Sequence, residues 1–163
     1  MGLYEEQVKD GHYFLHERPA WATSWQLGCV KKTLAMEQVD ELIGDQCQYG
    51  HGTDQGDPLK KPTRFMCNSG AVLAQLGNRR RGRTGACTRP GGGRHGSCTG
   101  SAARKAAVYP FKFCKAVLSG ARNQQREDGR FTHGMVGTQP APHDGLSDEQ
   151  LERRVNRLWI LEV

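Results

Sequence analysis

From Pro58 to Arg126 the chain contains neither aspartate nor glutamate. That stretch carries 15 lysines and arginines, while the rest of the 163 residues holds 8 basic and 17 acidic side chains. The net charge of +6 therefore hides a strongly basic middle flanked by acidic and mixed ends. Segregation of this kind excludes an evenly neutralised surface and points to a polyanionic partner, although a solvated basic loop is the plainer alternative. Aromatic residues are scarce at 7% and hydrophobic ones reach 36%, so any core is modest. No run approaches the roughly 18 apolar residues of a membrane span. No charged-then-apolar leader opens the sequence, which reads as an intracellular chain. Six cysteines without a leader are then reduced thiols or metal ligands rather than three disulfides. No internal repeat is present.

What the sequence does have is a series of short elements. Residues 12–17 alternate and are rich in aromatics, as a strand requires, and Pro19 stops the ladder. Thr23 and Gln26 form a capping-box pattern ahead of Leu27, Val30 and Leu34, which predicts a helix over 24–37. Strands are expected at 39–43 and 63–67, and a helix capped by Ser69 over 71–76. Residues 77–100 are glycine- and arginine-rich without any period, and read as a disordered basic loop unless a ligand orders them. A further helix is led in by Ala106–Val108 and Pro110, with Phe111, Cys114, Val117 and Leu118 as its apolar stripe. Residues 129–145 read as a linker. Residues 146–163 read as an amphipathic helix with a second capping box, Ser147 and Gln150. It would dock on the domain or seek a partner. The order strand, helix, strand, strand, helix, helix gives an α/β domain over 10–128, a small incomplete three-layer sheet of the Rossmann-like half type with flanking helices.

Several constellations carry chemistry. Glu17 ends the first strand inside FLHERPAWATSW, where it serves either a packing corner or a site at the carboxyl edge of a sheet. His16 beside it points to the opposite face and shares no pocket with it. Cys87, His95 and Cys98 are spaced Cys-x7-His-x2-Cys, a donor set for zinc with Cys67 or Cys47 as a fourth ligand, although the spacing fits no standard zinc finger. Arg79, Arg80, Arg81 and Arg83, with Arg89, Arg94, Arg104 and Lys105, can neutralise phosphates. No interleaved aromatics supply base stacking, so nucleic-acid contact without sequence specificity is expected. The RRRGR run is also of nuclear-localisation type. RPGGGRHG lacks the Gly-Lys-Ser/Thr ending of a phosphate-binding P-loop, and no hydrolase triad can be assembled.

Three segments, FLHERPAWATSW, DQCQYGHGTDQGDPLKKPTRFMCNS and HGSCTGSAARKAAVYPFKFCKAVLSG, together resemble domains of retrotransposon-type polyproteins of dinoflagellate kind. These in turn are similar to the C-terminal half of cytosine-C5 DNA methyltransferases. The resemblance spans about residues 10–137. It implies that Glu17 corresponds to the acid that contacts the cytosine ring edge, and that Cys47, Tyr49, Gly50, Lys61 and Thr63 line the same cleft. Arg18 stands where that family has asparagine. The family's cofactor cradle and Pro-Cys-Gln nucleophile would precede residue 10, and neither pattern occurs in these residues.

The expectation is therefore a non-catalytic, retroelement-associated domain whose basic segment binds nucleic acid, with zinc as its one candidate cofactor. The alternatives are the target-base half of a methyltransferase that works with an upstream half or a larger polyprotein, and a zinc-stabilised interaction module.

Overall fold

A computed structural model describes residues 2–77 and 86–130. In chain order it contains helix α1 (Gly2–Lys9), strand β1 (Leu15–Pro19), helix α2 (Gly28–Leu34), strand β2 (Asp40–Asp45), strand β3 (Pro62–Cys67) and helices α3 (Gly70–Gly77), α4 (Gly100–Lys105) and α5 (Phe111–Glu127). The predicted helix 146–163 and most of the predicted linker lie outside the described residues.

The three strands form one sheet in the order β1-β3-β2, and both outer strands run antiparallel to β3. A mixed helix and sheet domain was expected, but not this pairing, because a Rossmann-like half would be parallel. The reason lies in the connection. A parallel neighbour needs a long crossover, usually helical, whereas residues 46–61 hold only one 3-10 turn before the chain comes back beside β2. Pro19, which has no N–H to donate, closes an edge strand where its absence from the ladder costs nothing.

Strand alternation sends Thr63, Phe65 and Cys67 to one face and Arg64 and Met66 to the other. The register puts Glu17 and Leu42 opposite Phe65, and His16 and Glu41 opposite Met66. The Phe65 face packs against α3 and α5 through Tyr49, Val72, Leu73, Leu76, Phe113, Cys114 and Val117. On the Met66 side sit Phe14, Trp25, Val30 and Val39, joined by Tyr4 and Val8 of α1. Tyr4 stacks on Phe14 at 4.4 Å, so residues before position 10 belong to the packed body.

Local departures have local causes. The expected helix 24–37 is broken into a 3-10 turn, Thr23–Gln26, and α2, because Leu27 is extended (φ −62, ψ 137). Thr23 therefore lies inside the turn, Ala22 precedes it, and no side-chain cap forms. The turn exists to bury Trp25, whose indole N–H donates to the Pro19 carbonyl at 3.0 Å. Ser69 does cap α3, accepting from the Val72 N–H at 3.2 Å. Its hydroxyl also donates to Gln124 on α5 at 2.8 Å, which ties the two helices. They meet at Gly120, where a Cβ would stand 2.5 Å from the Val72 Cα. Leu118, expected in the apolar stripe of α5, is exposed instead, because it falls outside the arc set by Phe113, Cys114, Val117 and Gly120.

Residues 86–100, expected to be disordered, are ordered. Ala86 pairs with Arg94, the Cys87 N–H donates to the Gly93 carbonyl at 2.9 Å, and Gly96 pairs with Leu59. Gly91 turns the hairpin at φ 69, and Gly92 passes 2.9 Å from the Arg89 and Cys87 carbonyls, measured from a would-be Cβ. A segment with few apolar residues is thus held by backbone pairing and polar contacts in place of a core.

Candidate functional site

The 3-10 turn Gln46–Tyr49 follows β2 directly and ends at Gly50, whose left-handed φ of 96 closes it. All four of its side chains are buried, three of them polar or thiol, which is tolerable only if each finds a partner. Gln46 donates from Nε2 to Thr63 Oγ1 at 3.1 Å and accepts from His51 Nδ1 at 2.9 Å. Burial, with Lys61 adding a like charge, lowers the His51 pKa to about 4, so the ring is neutral at pH 7. Tyr49 donates to the Leu76 carbonyl at 2.8 Å and meets Phe113 edge-on.

The hairpin 86–96 folds over this turn. Arg89 brackets the two: its guanidinium donates to the carbonyls of Cys47 (3.4 Å), His51 (3.2 Å) and Gly56 (3.2 Å). Docking brings three chemically reactive side chains together from distant parts of the chain. Cys47 Sγ lies 3.5 Å from His95 Nε2, and the donor atoms of Cys47, Cys87 and His95 all lie within 4.8 Å of one another. Cys47 and Cys87 are buried and His95 is half-buried. Gln48 Nε2 donates to Cys87 Sγ at 3.5 Å and to Thr88 Oγ1 at 3.2 Å. Burial, followed by the hydrogen bond and charge of Cys87, raises the Cys47 pKa. A divalent cation between the thiols would reverse that preference and hold both as thiolates.

This cluster differs from the set read off the spacing. Cys47, one of the two candidates for a fourth ligand, stands with Cys87 and His95. Cys98 is half-buried and is not among the three. Cys67 is not among them either. It lies in β3 within the core, where burial lifts its pKa to about 11. Sequence spacing ranked Cys98 ahead of Cys47 because only two residues separate it from His95, whereas the turn after β2 brings Cys47 across 48 positions.

Glu17 projects to the α5 face of the sheet. Tyr109, just ahead of α5, donates its hydroxyl to Glu17 Oε2, and Glu17 Oε1 is buried without a hydrogen-bond partner. Tyr109 stacks on Phe113 with centroids 5.1 Å apart. Lys61 Nζ lies 5.8 Å from the Tyr109 ring centroid and donates to the Ala106 carbonyl at 2.8 Å. Burial, then the negative charge of Glu17, raises the proton affinity of Tyr109. Glu17 and Lys61 therefore flank one aromatic ring, and Tyr49 reaches the same group through Phe113. Tyr49 and Thr63 are fully enclosed, so these two do not line an open cleft, and Gly50 is exposed. Tyr109 was not picked out from the sequence. Its only sign there is an aromatic residue directly before the proline that opens a helix. A cavity of about 290 Å³ bounded by Gln7, His12, Tyr13, Ser69, Gln124 and Arg130 includes none of Glu17, Tyr109 or Lys61.

Among the arginines expected to meet phosphate, Arg79, Arg80, Arg81 and Arg83 lie outside the described residues. Arg94 and Arg104 are exposed. Arg89 is taken up by three carbonyls, and Lys105 belongs to α4. A second cationic feature was missed. Lys112, Lys115, Arg122 and Arg126 are all exposed on α5. At 100° per residue they fall within one arc of about 80°, opposite the buried Phe113, Val117 and Gly120. None of the four forms an ion pair among the described residues. Four cations along about 21 Å of helix make a ridge with no carboxylate set into it among the described residues. Its periodicity was visible in the sequence, but the apolar stripe drew the reading to the other face.

No helix among the described residues is long and apolar enough to cross a membrane. No protein-family model, no curated protein and no solved structure matches the chain.

Proposed function

We propose that the chain is a non-catalytic nucleic-acid-binding domain that grips the phosphate backbone without reading bases. The observation that carries this is the cationic ridge of α5, four exposed lysines and arginines aligned opposite the packed face and without an ion-pair partner among the described residues. Arg94 on the hairpin and Arg104 on α4 extend the positive surface. Ser119 and Asn123 are the half-exposed residues along the ridge and half-buried Phe111 stands at its edge, so at most one ring is placed to stack on a base. Zinc belongs to this reading as the ion suited to two thiols and an imidazole. So does a retroelement-associated, methyltransferase-like ancestry, supported by Glu17 and Lys61 flanking Tyr109. A reading frame with a glycine-rich strand–turn–helix and Pro-Cys-Gln ahead of Met1 would instead favour the target-base half of a methyltransferase.

Titrating the full chain against a random-sequence DNA duplex at rising NaCl tests the reading. Four to six phosphate contacts give a slope of log K against log salt of roughly −3.6 to −5.4. Scrambling the duplex leaves affinity unchanged. A flat salt response, or no binding at low salt, rejects the proposal.

A further inference from the structure

The hairpin 86–96 contributes no side chain to either hydrophobic cluster. What holds it down is a few backbone bonds, the Arg89 bracket and the meeting of Cys87 and His95 with Cys47. That meeting has the dimensions of a coordination site. Zinc bonds of about 2.3 Å to sulfur and 2.0–2.1 Å to nitrogen, at the tetrahedral angle, set a sulfur-to-nitrogen edge of about 3.6 Å. The Cys47 Sγ to His95 Nε2 separation is 3.5 Å. A thiol–imidazole hydrogen bond alone fits that distance too, but it does not call for Cys87 as a third donor within 4.8 Å.

We propose that Cys47, Cys87 and His95 bind one zinc ion, and that this ion fastens the basic hairpin to the turn after β2. On binding, Zn²⁺ displaces one proton from each thiol and takes the Nε2 lone pair of the His95 imidazole. The three residues fill three tetrahedral positions, leaving the fourth to water in the simplest case. Gln48, donating to Cys87 Sγ, would orient and partly neutralise that thiolate from outside the coordination sphere. Neither Cys98 nor Cys67 is needed. The inference rests on the zinc part of the reading above and not on nucleic-acid binding, so it is read by metal and loop measurements that do not involve DNA.

The test uses the full chain purified with zinc in the medium and analysed for metal. About one zinc per chain is expected in the parent and in Cys98→Ser and Cys29→Ser. Cys47→Ser and His95→Ala should each weaken zinc affinity by at least about tenfold. Replacing zinc with Co²⁺ should give the visible bands of a tetrahedral site and a thiolate charge-transfer band, weaker in Cys47→Ser. Chelation should speed tryptic cleavage after Arg94, read by mass spectrometry of that one bond, while the circular dichroism of the helices stays unchanged. His95→Ala, at a half-buried loop position, keeps the test readable if Cys47→Ser fails to fold. Metal-free protein from zinc-supplemented cultures, an octahedral cobalt spectrum, loss of zinc in Cys98→Ser, or a Cys47–Cys87 disulfide as the isolated form would each overturn the proposal.

Discussion

A buried glutamine is costly unless both ends of its amide are satisfied, and Gln46 satisfies both, through Thr63 and His51. The same arrangement makes His51 acid-sensitive. Its folded pKa is about 4 against 6.5 in the unfolded chain, so the unfolded state takes up the proton first and acid favours unfolding. The stabilisation is full above pH 6.5 and is lost as pH falls towards 4, at a cost of order 2 to 3 kcal/mol. Urea unfolding at pH 7 and pH 4.5 checks this, and His51→Gln should shrink the difference. Half-buried His16, whose pKa is also lowered by desolvation, pulls the same way, so the slope should not vanish. Tyr109 is a second case. Tyr109→Phe leaves Glu17, whose other oxygen already lacks a partner, with no hydrogen bond on either. A loss of roughly 1 to 3 kcal/mol is expected, seen as a lower urea midpoint at unchanged slope. Such contacts were legible only in part. Glu17, Tyr49 and Lys61 were picked out through the resemblance, but the phenol joining Glu17 to Lys61 lies 92 residues from Glu17. A partner that distant leaves no mark in local spacing.

At the scale of elements, α3 and α5 approach as closely as they do because Gly120 has no side chain. Gly120→Ala places a methyl 2.5 Å from the Val72 Cα, and backbone cannot step aside as a side-chain tip can. Overpacking of this kind should cost about 2 to 4 kcal/mol and lower the thermal midpoint. Gly28→Ala is the contrast, since open space surrounds the first position of α2. That change should raise the midpoint slightly, by up to about 1 kcal/mol of stability. Equal effects at the two glycines would contradict this packing. Elements with a clear hydrophobic period were legible: β3 and α3 lie within a residue of their expected bounds, and β2 within two. Strand direction was not, because alternation fixes which face a residue occupies but not which way the neighbouring strand runs. The order of the hairpin was also hidden. Glycine and arginine predict little burial, and the contacts that fix it are made by one guanidinium and by glycines in turns only they can adopt.

For the molecule as a whole, charge segregation in the sequence becomes an arrangement of surfaces. The run without acids, 58–126, supplies the hairpin, α4 and nearly all of α5. Not every cation in it faces a partner. Arg89 holds backbone, and Arg64 pairs with Glu41 while lying over Trp25 at 4.6 Å. These two should therefore behave differently from the ridge. Lys115→Glu with Arg122→Glu reverses two ridge charges far from any buried contact, so the fold should survive with its melting curve nearly unchanged. Two lost phosphate contacts reduce the salt slope by about 1.8, and the added repulsion weakens DNA binding further at low salt. Arg89→Ala should act the other way round, loosening residues 86–96 to hydrogen exchange while changing the salt slope by less than one contact's worth, about 0.9. Measuring both variants separates a cation that binds from a cation that builds. If Arg89→Ala lowers the slope as much as the ridge reversal does, the bracket is exposed to phosphate after all, and the hairpin rather than α5 carries the binding.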